Sequence, residues 1–218
     1  MRCALDRYVQ NRTFQIWPFG KFGSTAANSW VTIWPTNAHP GNTLCLRRIM
    51  ARIALNLMDY DHLRLVQAQW RFAPGFVPGE PNEGLVSRLE GSLARLPDYD
   101  DSGWKVCQDL TKVLSSGFTF AWYRIKVVLP RSVDGSSVEG TRCLFETCID
   151  DYGEVWIDGE CDRVRGTVQG FNIPQRIRIT TEAQPGQTHT IALLAANGPL
   201  AAPGGGVFVR YATLAFEW

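Results

Sequence analysis

The sequence predicts an all-β protein, an antiparallel β-sandwich with an irregular, partly helical N-terminal extension. The first observation is the stretch 141–159, in which two apolar runs rich in β-branched and aromatic residues flank the acidic turn Asp150–Gly153. The second is the density of further short runs separated by turn signals, which is typical of sandwiches and barrels. The third is the long run GFTFAWYRIKVVLP (117–130), which Pro130 ends.

The first 60 residues are predicted to form the extension. Residues 1–42 contain many aromatic, Gly and Pro residues without a sustained period, so we interpret them as turns and irregular chain. The run TLCLRRIMARIALNLM (43–58) places apolar side chains at helical spacing, and Thr43 is a candidate cap, which predicts one amphipathic helix. Its few arginines favour a helix packed on its own domain over one lying on a membrane.

The predicted sandwich covers residues 61–218, and alternation decides which side chains share a face. On the long strand, Phe120, Trp122 and Arg124 share one face and Tyr123 lies on the other. A salt bridge inside the sandwich is the favoured role for Arg124. The other predicted elements are a strand over 63–72, a short helix over 87–96, a polar loop over 131–141, a hairpin over 145–159, strands over 176–180, 188–196 and 206–218, and a turn at 185–187.

Composition and charge argue against several classes of protein. The net charge of +1 over 218 residues gives no general attraction to nucleic acid or to anionic membranes. No apolar run approaches the roughly 20 residues of a membrane-spanning helix. Asp6, Arg7 and Arg12 interrupt any apolar core of a signal peptide, so a cytoplasmic location is favoured for the chain as written.

The residues with metal-binding or catalytic chemistry form no complete constellation. Six cysteines occur without a C-x-x-C pair, and three histidines lie far apart, so a zinc site is disfavoured. Cys143 and Cys148 are predicted to lie on opposite faces of one strand and to stay unpaired, and buried reduced thiols are expected. Asp150 and Asp151 are better explained as turn residues than as paired catalytic acids, because adjacent strand-end side chains point to opposite sides.

Seven segments together resemble a known domain family. Their order and spacing across 63–218 resemble the galactose-binding-like jelly roll. More narrowly, they are similar to the sandwich domain of glycoside hydrolase family 2 enzymes and to the domain fused to some SMP-30/gluconolactonase-like proteins. The segments are QWRF (69–72), DYDDSGWKV (98–106), FAWYRIKVVLP (120–130), FETCIDDYGEVWIDG (145–159), GFNIPQRIRIT (170–180), PGQTHTIALLAANGPL (185–200) and VRYATLAFEW (209–218).

The resemblance implies a non-catalytic carbohydrate-binding or accessory module, with a saccharide as ligand. Such domains bind sugars through loops at one end, brace a neighbouring catalytic domain, or hold a structural Ca²⁺; no other cofactor is expected. The alternative is a fragment or subunit of a glycoside hydrolase or gluconolactonase-like hydrolase that needs a partner catalytic chain, because no catalytic part is expected within these residues. A purely structural interaction domain is a third interpretation.

Four residues are the candidates for a ligand site at the loop end of the sandwich. Trp104 and Tyr152 would offer flat surfaces for stacking on a sugar ring. Asn172 and Asn197 would read hydroxyl groups through their amide donors and acceptors. Each of the four also has an ordinary explanation as a core or turn residue, and both interpretations stay open from the sequence.

Overall fold

The computed structural model describes residues 51–78, 92–112, 114–115, 119–150, 152–169, 173–197, 206–207 and 209–218. Within them the chain forms two antiparallel sheets that enclose a shared core, so the predicted all-β sandwich is confirmed. No helix among these residues is long and apolar enough to cross a membrane.

Fourteen strands and one α-helix make up the described elements. The strands are β1 (Arg52–Asn56), β2 (Arg71–Pro74), β3 (Lys105–Val106), β4 (Leu114–Ser115), β5 (Thr119–Val128), β6 (Ser132–Val133), β7 (Ser136–Ser137), β8 (Arg142–Ile149), β9 (Tyr152–Ile157), β10 (Thr167–Gln169), β11 (Pro174–Thr180), β12 (Thr188–Asn197), β13 (Gly206–Val207) and β14 (Val209–Glu217). The helix is α1 (Tyr60–Leu65), and two 3-10 turns span Leu93–Arg95 and Leu110–Lys112.

The two main sheets have four and six strands. The four-stranded sheet runs β1-β14-β8-β11, and the six-stranded sheet runs β10-β9-β12-β5-β2-β3. The main core lies between them, with Phe145 and Leu214 from one sheet and Tyr123, Ile125 and Leu193 from the other. This arrangement follows from the period-2 alternation of strands, which gives each strand one apolar face. The predicted faces of the long strand β5 are therefore confirmed.

The hairpin predicted over 145–159 is wrong, although both of its strands exist. β8 pairs with β11 and β14, whereas β9 pairs with β10 and β12, so the chain crosses from one sheet to the other at Asp150–Tyr152. The crossing is tight at Gly153, where a Cβ atom would lie 2.7 Å from three side-chain atoms of Ile149. Apolar alternation predicts a strand but does not choose its partner, because both sheets offer the same buried face.

The helix predicted over 43–58 is wrong at its C-terminal end. Residues 52–56 form β1, which pairs along its whole length with β14, and Leu55 is buried in the core. The pairing satisfies backbone groups that a helix would have satisfied internally, and tertiary packing overrides the helical spacing. The sandwich therefore begins no later than Arg52, before the predicted boundary at residue 61. Residues 1–50 lie outside the described part of the chain.

The strand predicted over 63–72 is also wrong for most of its length. The chain instead forms α1, and only Arg71 and Phe72 belong to a strand. Asp59 caps the helix, because its side-chain Oδ1 accepts hydrogen bonds from the backbone N–H groups of Asp61 and His62. The local cap stabilises a single helical turn that alternation did not reveal.

Two predicted turns are present. Asp158 and Gly159 both have positive φ angles, 51° and 88°, as the Asp-Gly pair that ends β9 requires. Gly186 has a φ of 85° in the turn before β12. The polar loop predicted over 131–141 contains a small hairpin, β6–β7.

The described cysteines are all free thiols. Cys107, Cys143 and Cys148 are buried and Cys161 is half-buried, which agrees with the predicted state of these residues. Burial raises the pKa of the Cys143 thiol to about 12, so it stays protonated. Cys3 and Cys45 lie outside the described residues.

Candidate functional site

The outer face of the six-stranded sheet carries a second apolar cluster. Trp122 on β5 and Leu194 on β12 lie directly opposite each other in the strand pairing and are buried. Residues 92–104, here called the covering segment, pack over this face through Ala94, Tyr99 and Trp104. The covering segment shields part of this face and leaves the remainder to line a pocket.

Arg124 fastens the covering segment to the sheet. It is fully buried on β5, and its Nε donates to the Oδ2 of Asp101 at 2.8 Å. Its Nη1 donates to the backbone carbonyls of Ala94 and Leu96, and the latter bond is 2.9 Å long. A buried guanidinium is stabilised only when a carboxylate and several acceptors surround it, and the covering segment supplies all of them. The salt bridge predicted for Arg124 therefore exists, but the predicted position inside the sandwich is wrong, because the pair lies on the outer face of the sheet.

A pocket of about 620 Å³ lies beside this segment. Its base is the outer face of β5, β12 and β9, and its sides come from the covering segment and the turn after β9. The lining combines aromatic rings with charged groups, as ligand pockets generally do. The aromatic members are Phe76, Phe120, Trp122, Tyr152 and Trp156, and the charged members are Arg95, Glu154, Asp158, Glu160 and Arg163.

Glu154 is the centre of the polar part of the pocket. Its Oε1 accepts the phenol proton of Tyr152 at 2.6 Å, and its Oε2 accepts the indole N–H of Trp156 at 3.0 Å. Arg163 adds a longer ion pair at 3.4 Å to Oε1. Tyr152, Glu154 and Trp156 stand at positions i, i+2 and i+4 of β9, and Arg163 comes after the strand, so one strand face supplies most of the network. Burial and then the adjacent Glu154 raise the pKa of Tyr152, whose phenol therefore stays a donor.

Two guanidinium groups lie over the Trp156 ring. The guanidinium carbon of Arg95 is 5.5 Å from the ring centroid, and that of Arg163 is 5.1 Å away. Both distances are within the range of cation–π attraction. The rim of the pocket is therefore cationic next to an aromatic surface.

Asp158 links the pocket to the beginning of β12. Its Oδ1 accepts the backbone N–H of Thr190 at 2.7 Å, and its Oδ2 contacts the Nδ1 of His189 at 2.7 Å. Both carboxylate oxygens are used in this way. The described residues contain no group of three or more side chains that could hold a metal ion, and the structural Ca²⁺ stays a prediction.

Three of the four sequence-predicted site residues lie in the described part of the chain, and these three do not share this pocket. Tyr152 lines it, whereas Trp104 is absent from its lining and packs against the ring of Tyr99 at 5.6 Å. Asn197 is buried at the end of β12, and Asn172 lies outside the described residues. The proposed four-residue site stays a prediction, while this pocket lies over a sheet face rather than at the loop end.

Trp156, Arg95, Glu154 and Arg163 are among the lining residues that are not candidates from the sequence. The alternation of Tyr152, Glu154 and Trp156 could have shown that they share a face. No sequence signal brings Arg95 to Trp156, because the covering segment places it there across 61 residues of chain.

Comparisons with known proteins give only distant likenesses. No protein-family model matches the chain, and no curated protein matches its sequence. Among solved structures, it is similar to a β-glucuronidase of Bacteroides uniformis with 17% identity and a TM-score of 0.49, over 76% of this chain and 18% of that one. A β-glucuronidase from glycoside hydrolase family 2 is 19% identical with a TM-score of 0.47, over 76% of this chain and 18% of that one.

A third similar structure is the β-glucuronidase of Faecalibacterium prausnitzii, with 15% identity and a TM-score of 0.43. The alignment covers 82% of this chain and 33% of that one. The chain thus spans about a fifth to a third of the length of these proteins. Alignments with such low identities and TM-scores do not assign a family.

Proposed function

We propose that this chain is a non-catalytic carbohydrate-binding or accessory module of the galactose-binding-like jelly-roll type, with the pocket beside the covering segment as its ligand site. The observation that carries the proposal is the lining of this pocket. Aromatic rings lie next to fixed hydrogen-bonding groups, and this combination suits the apolar and hydroxyl-bearing sides of a sugar ring. Of the three sequence-predicted site residues that the structure describes, Tyr152 lines this pocket.

Replacing Tyr152 with alanine is expected to weaken saccharide binding. The substitution removes an aromatic surface and the donor that orients Glu154, so the loss should be on the order of 1–3 kcal/mol, tenfold or more in Kd. A glycan array would select the ligand, and isothermal titration would measure its affinity. Tyr211→Ala is the matched control, because Tyr211 is half-buried outside the pocket lining. Equal losses in both variants, or no glycan bound by the wild-type chain, would contradict the proposal.

The alternative function is that of a fragment or subunit of a hydrolase. Such a chain would need a partner catalytic chain, whereas a binding module would not. The pocket carboxylates Glu154 and Asp158 are both engaged by neighbouring donors, which favours a positioning role over acid–base chemistry.

We therefore expect the purified chain to show no turnover of aryl glycosides or gluconolactone. Chromogenic and pH-stat assays would measure it, with Glu154→Gln as the control for contaminating enzyme. Turnover that the wild-type chain shows and the Glu154→Gln variant loses would refute the non-catalytic proposal.

A further inference from the structure

The charged side chains of the pocket differ in how many hydrogen-bond and ion-pair partners they have. Glu154 is only 14% exposed and has a donor on each oxygen, as described above, and both oxygens of Asp158 are also occupied. Glu160, the remaining acidic residue of the lining, is exposed to solvent, which screens its charge. The carboxylates of the pocket therefore do not need a cationic ligand as a further partner.

Among the described residues of the pocket lining, Arg95 is the cation without a carboxylate partner. It makes no ion pair with any residue that the structure describes, whereas Arg163 is paired with Glu154. Its contact is the Trp156 ring, which holds the guanidinium at the pocket without using its directed N–H donors for a carboxylate. A guanidinium in this setting can offer a forked pair of donors to an incoming anion.

The backbone of Arg95 is held in place from both sides. Arg124 donates to the carbonyls of Ala94 and Leu96, the residues before and after Arg95. The N-terminal side is fixed further by Ser92, whose hydroxyl caps the 3-10 turn through the N–H of Ala94. A donor on a fixed backbone loses less entropy when it binds, so it contributes more to affinity.

We infer that the ligand of this pocket is an acidic saccharide, whose carboxylate is bound by Arg95 while the ring lies against the aromatic lining. This inference rests on the proposed function and narrows it to a class of sugar. Neutral sugars would leave the Arg95 donors to water. A carboxylate would accept the N–H donors of Arg95 without displacing an ion pair that the structure describes.

The test compares ligands that differ only in charge. D-galacturonate and D-glucuronate would be titrated into the full chain beside their methyl esters, at low ionic strength, with affinity measured by NMR chemical-shift changes. The acids are expected to bind about tenfold tighter than the esters, the scale of one charge-assisted hydrogen-bonded contact. In Arg95→Gln this preference should disappear, while the affinity for the esters stays the same.

Arg178→Gln is the matched control, since Arg178 is exposed on β11 in the other sheet. Near-UV circular dichroism would establish that all variants are folded. Equal affinity for acids and esters would overturn the inference and leave the proposed function standing, whereas no binding of any of the four sugars, together with no glycan bound on the array, would overturn both. An Arg95→Gln variant that is less stable but keeps the preference for acids would show that Arg95 only fastens the covering segment, and would also overturn the inference.

Discussion

Replacing Arg124 with methionine is expected to lower the free energy of unfolding by about 3 to 5 kcal/mol, the usual cost of breaking a buried ion pair. Methionine keeps much of the side-chain length but leaves Asp101 without its closest cation. It also leaves the carbonyl of Ala94 without its side-chain donor and removes one of the two donors of the Leu96 carbonyl. Urea denaturation would measure the loss, and hydrogen exchange of residues 92–104 would show whether the covering segment opens first.

Arg178→Met is the control for this measurement, because it removes an exposed arginine and should change stability by no more than about 0.5 kcal/mol. Asp101→Asn would test the pair from its other side. Losses from the two single substitutions at Arg124 and Asp101 should not add in the double variant, since both break the same contact. An Arg124→Met variant as stable as Arg178→Met would show that the guanidinium does not hold the covering segment.

The Leu55→Ala substitution is expected to destabilise the sandwich by about 2 to 5 kcal/mol, the range for a leucine truncated in a core. Leu55 is 1% exposed and its strand β1 pairs with β14, so the lost methyl groups leave a cavity between the sheets. Thermal and urea unfolding would measure the change. The result bears on the extent of the domain, because Leu55 lies in the stretch that sequence analysis assigned to an extension.

Leu65→Ala provides the matched control, with the same chemical change at a side chain that is 50% exposed. It should change stability by well under the loss at Leu55, because few packing contacts are removed. If both variants unfold alike, β1 contributes little to the core, and the predicted boundary at residue 61 would regain support.

Much of the fold could be predicted from the pattern of neighbouring residues. Alternation along 119–128 assigned Trp122 and Arg124 to one face and Tyr123 to the other, and the structure agrees. The Asp158-Gly159 pair predicted a turn that requires positive φ. These predictions succeeded because the period of a strand and the conformational freedom of a turn residue are properties of neighbouring residues.

The errors share a different cause. The helical spacing of 43–58 and the alternation of 63–72 were outweighed by the pairing of β1 with β14 and by the Asp59 cap of α1. The predicted hairpin is wrong for the same reason, because β8 pairs with β14 and β9 pairs with β12, and both partners lie far away in the sequence. Short apolar runs carry weak preferences of a few tenths of a kcal/mol per residue, which tertiary contacts readily exceed.

The candidate site also has one part that local sequence determined and one part that tertiary contacts determined. The face that carries Tyr152, Glu154 and Trp156 was determined by the sequence, because side chains two residues apart on a strand point the same way. The pocket itself was decided by tertiary structure, since it exists only where the covering segment lies on that face. Arg124 binds the segment's carbonyls and Asp101, and thereby places Arg95 beside Trp156. Local sequence determines which way a side chain points, whereas a buried charge determines, through its need for distant acceptors, which parts of the chain come together.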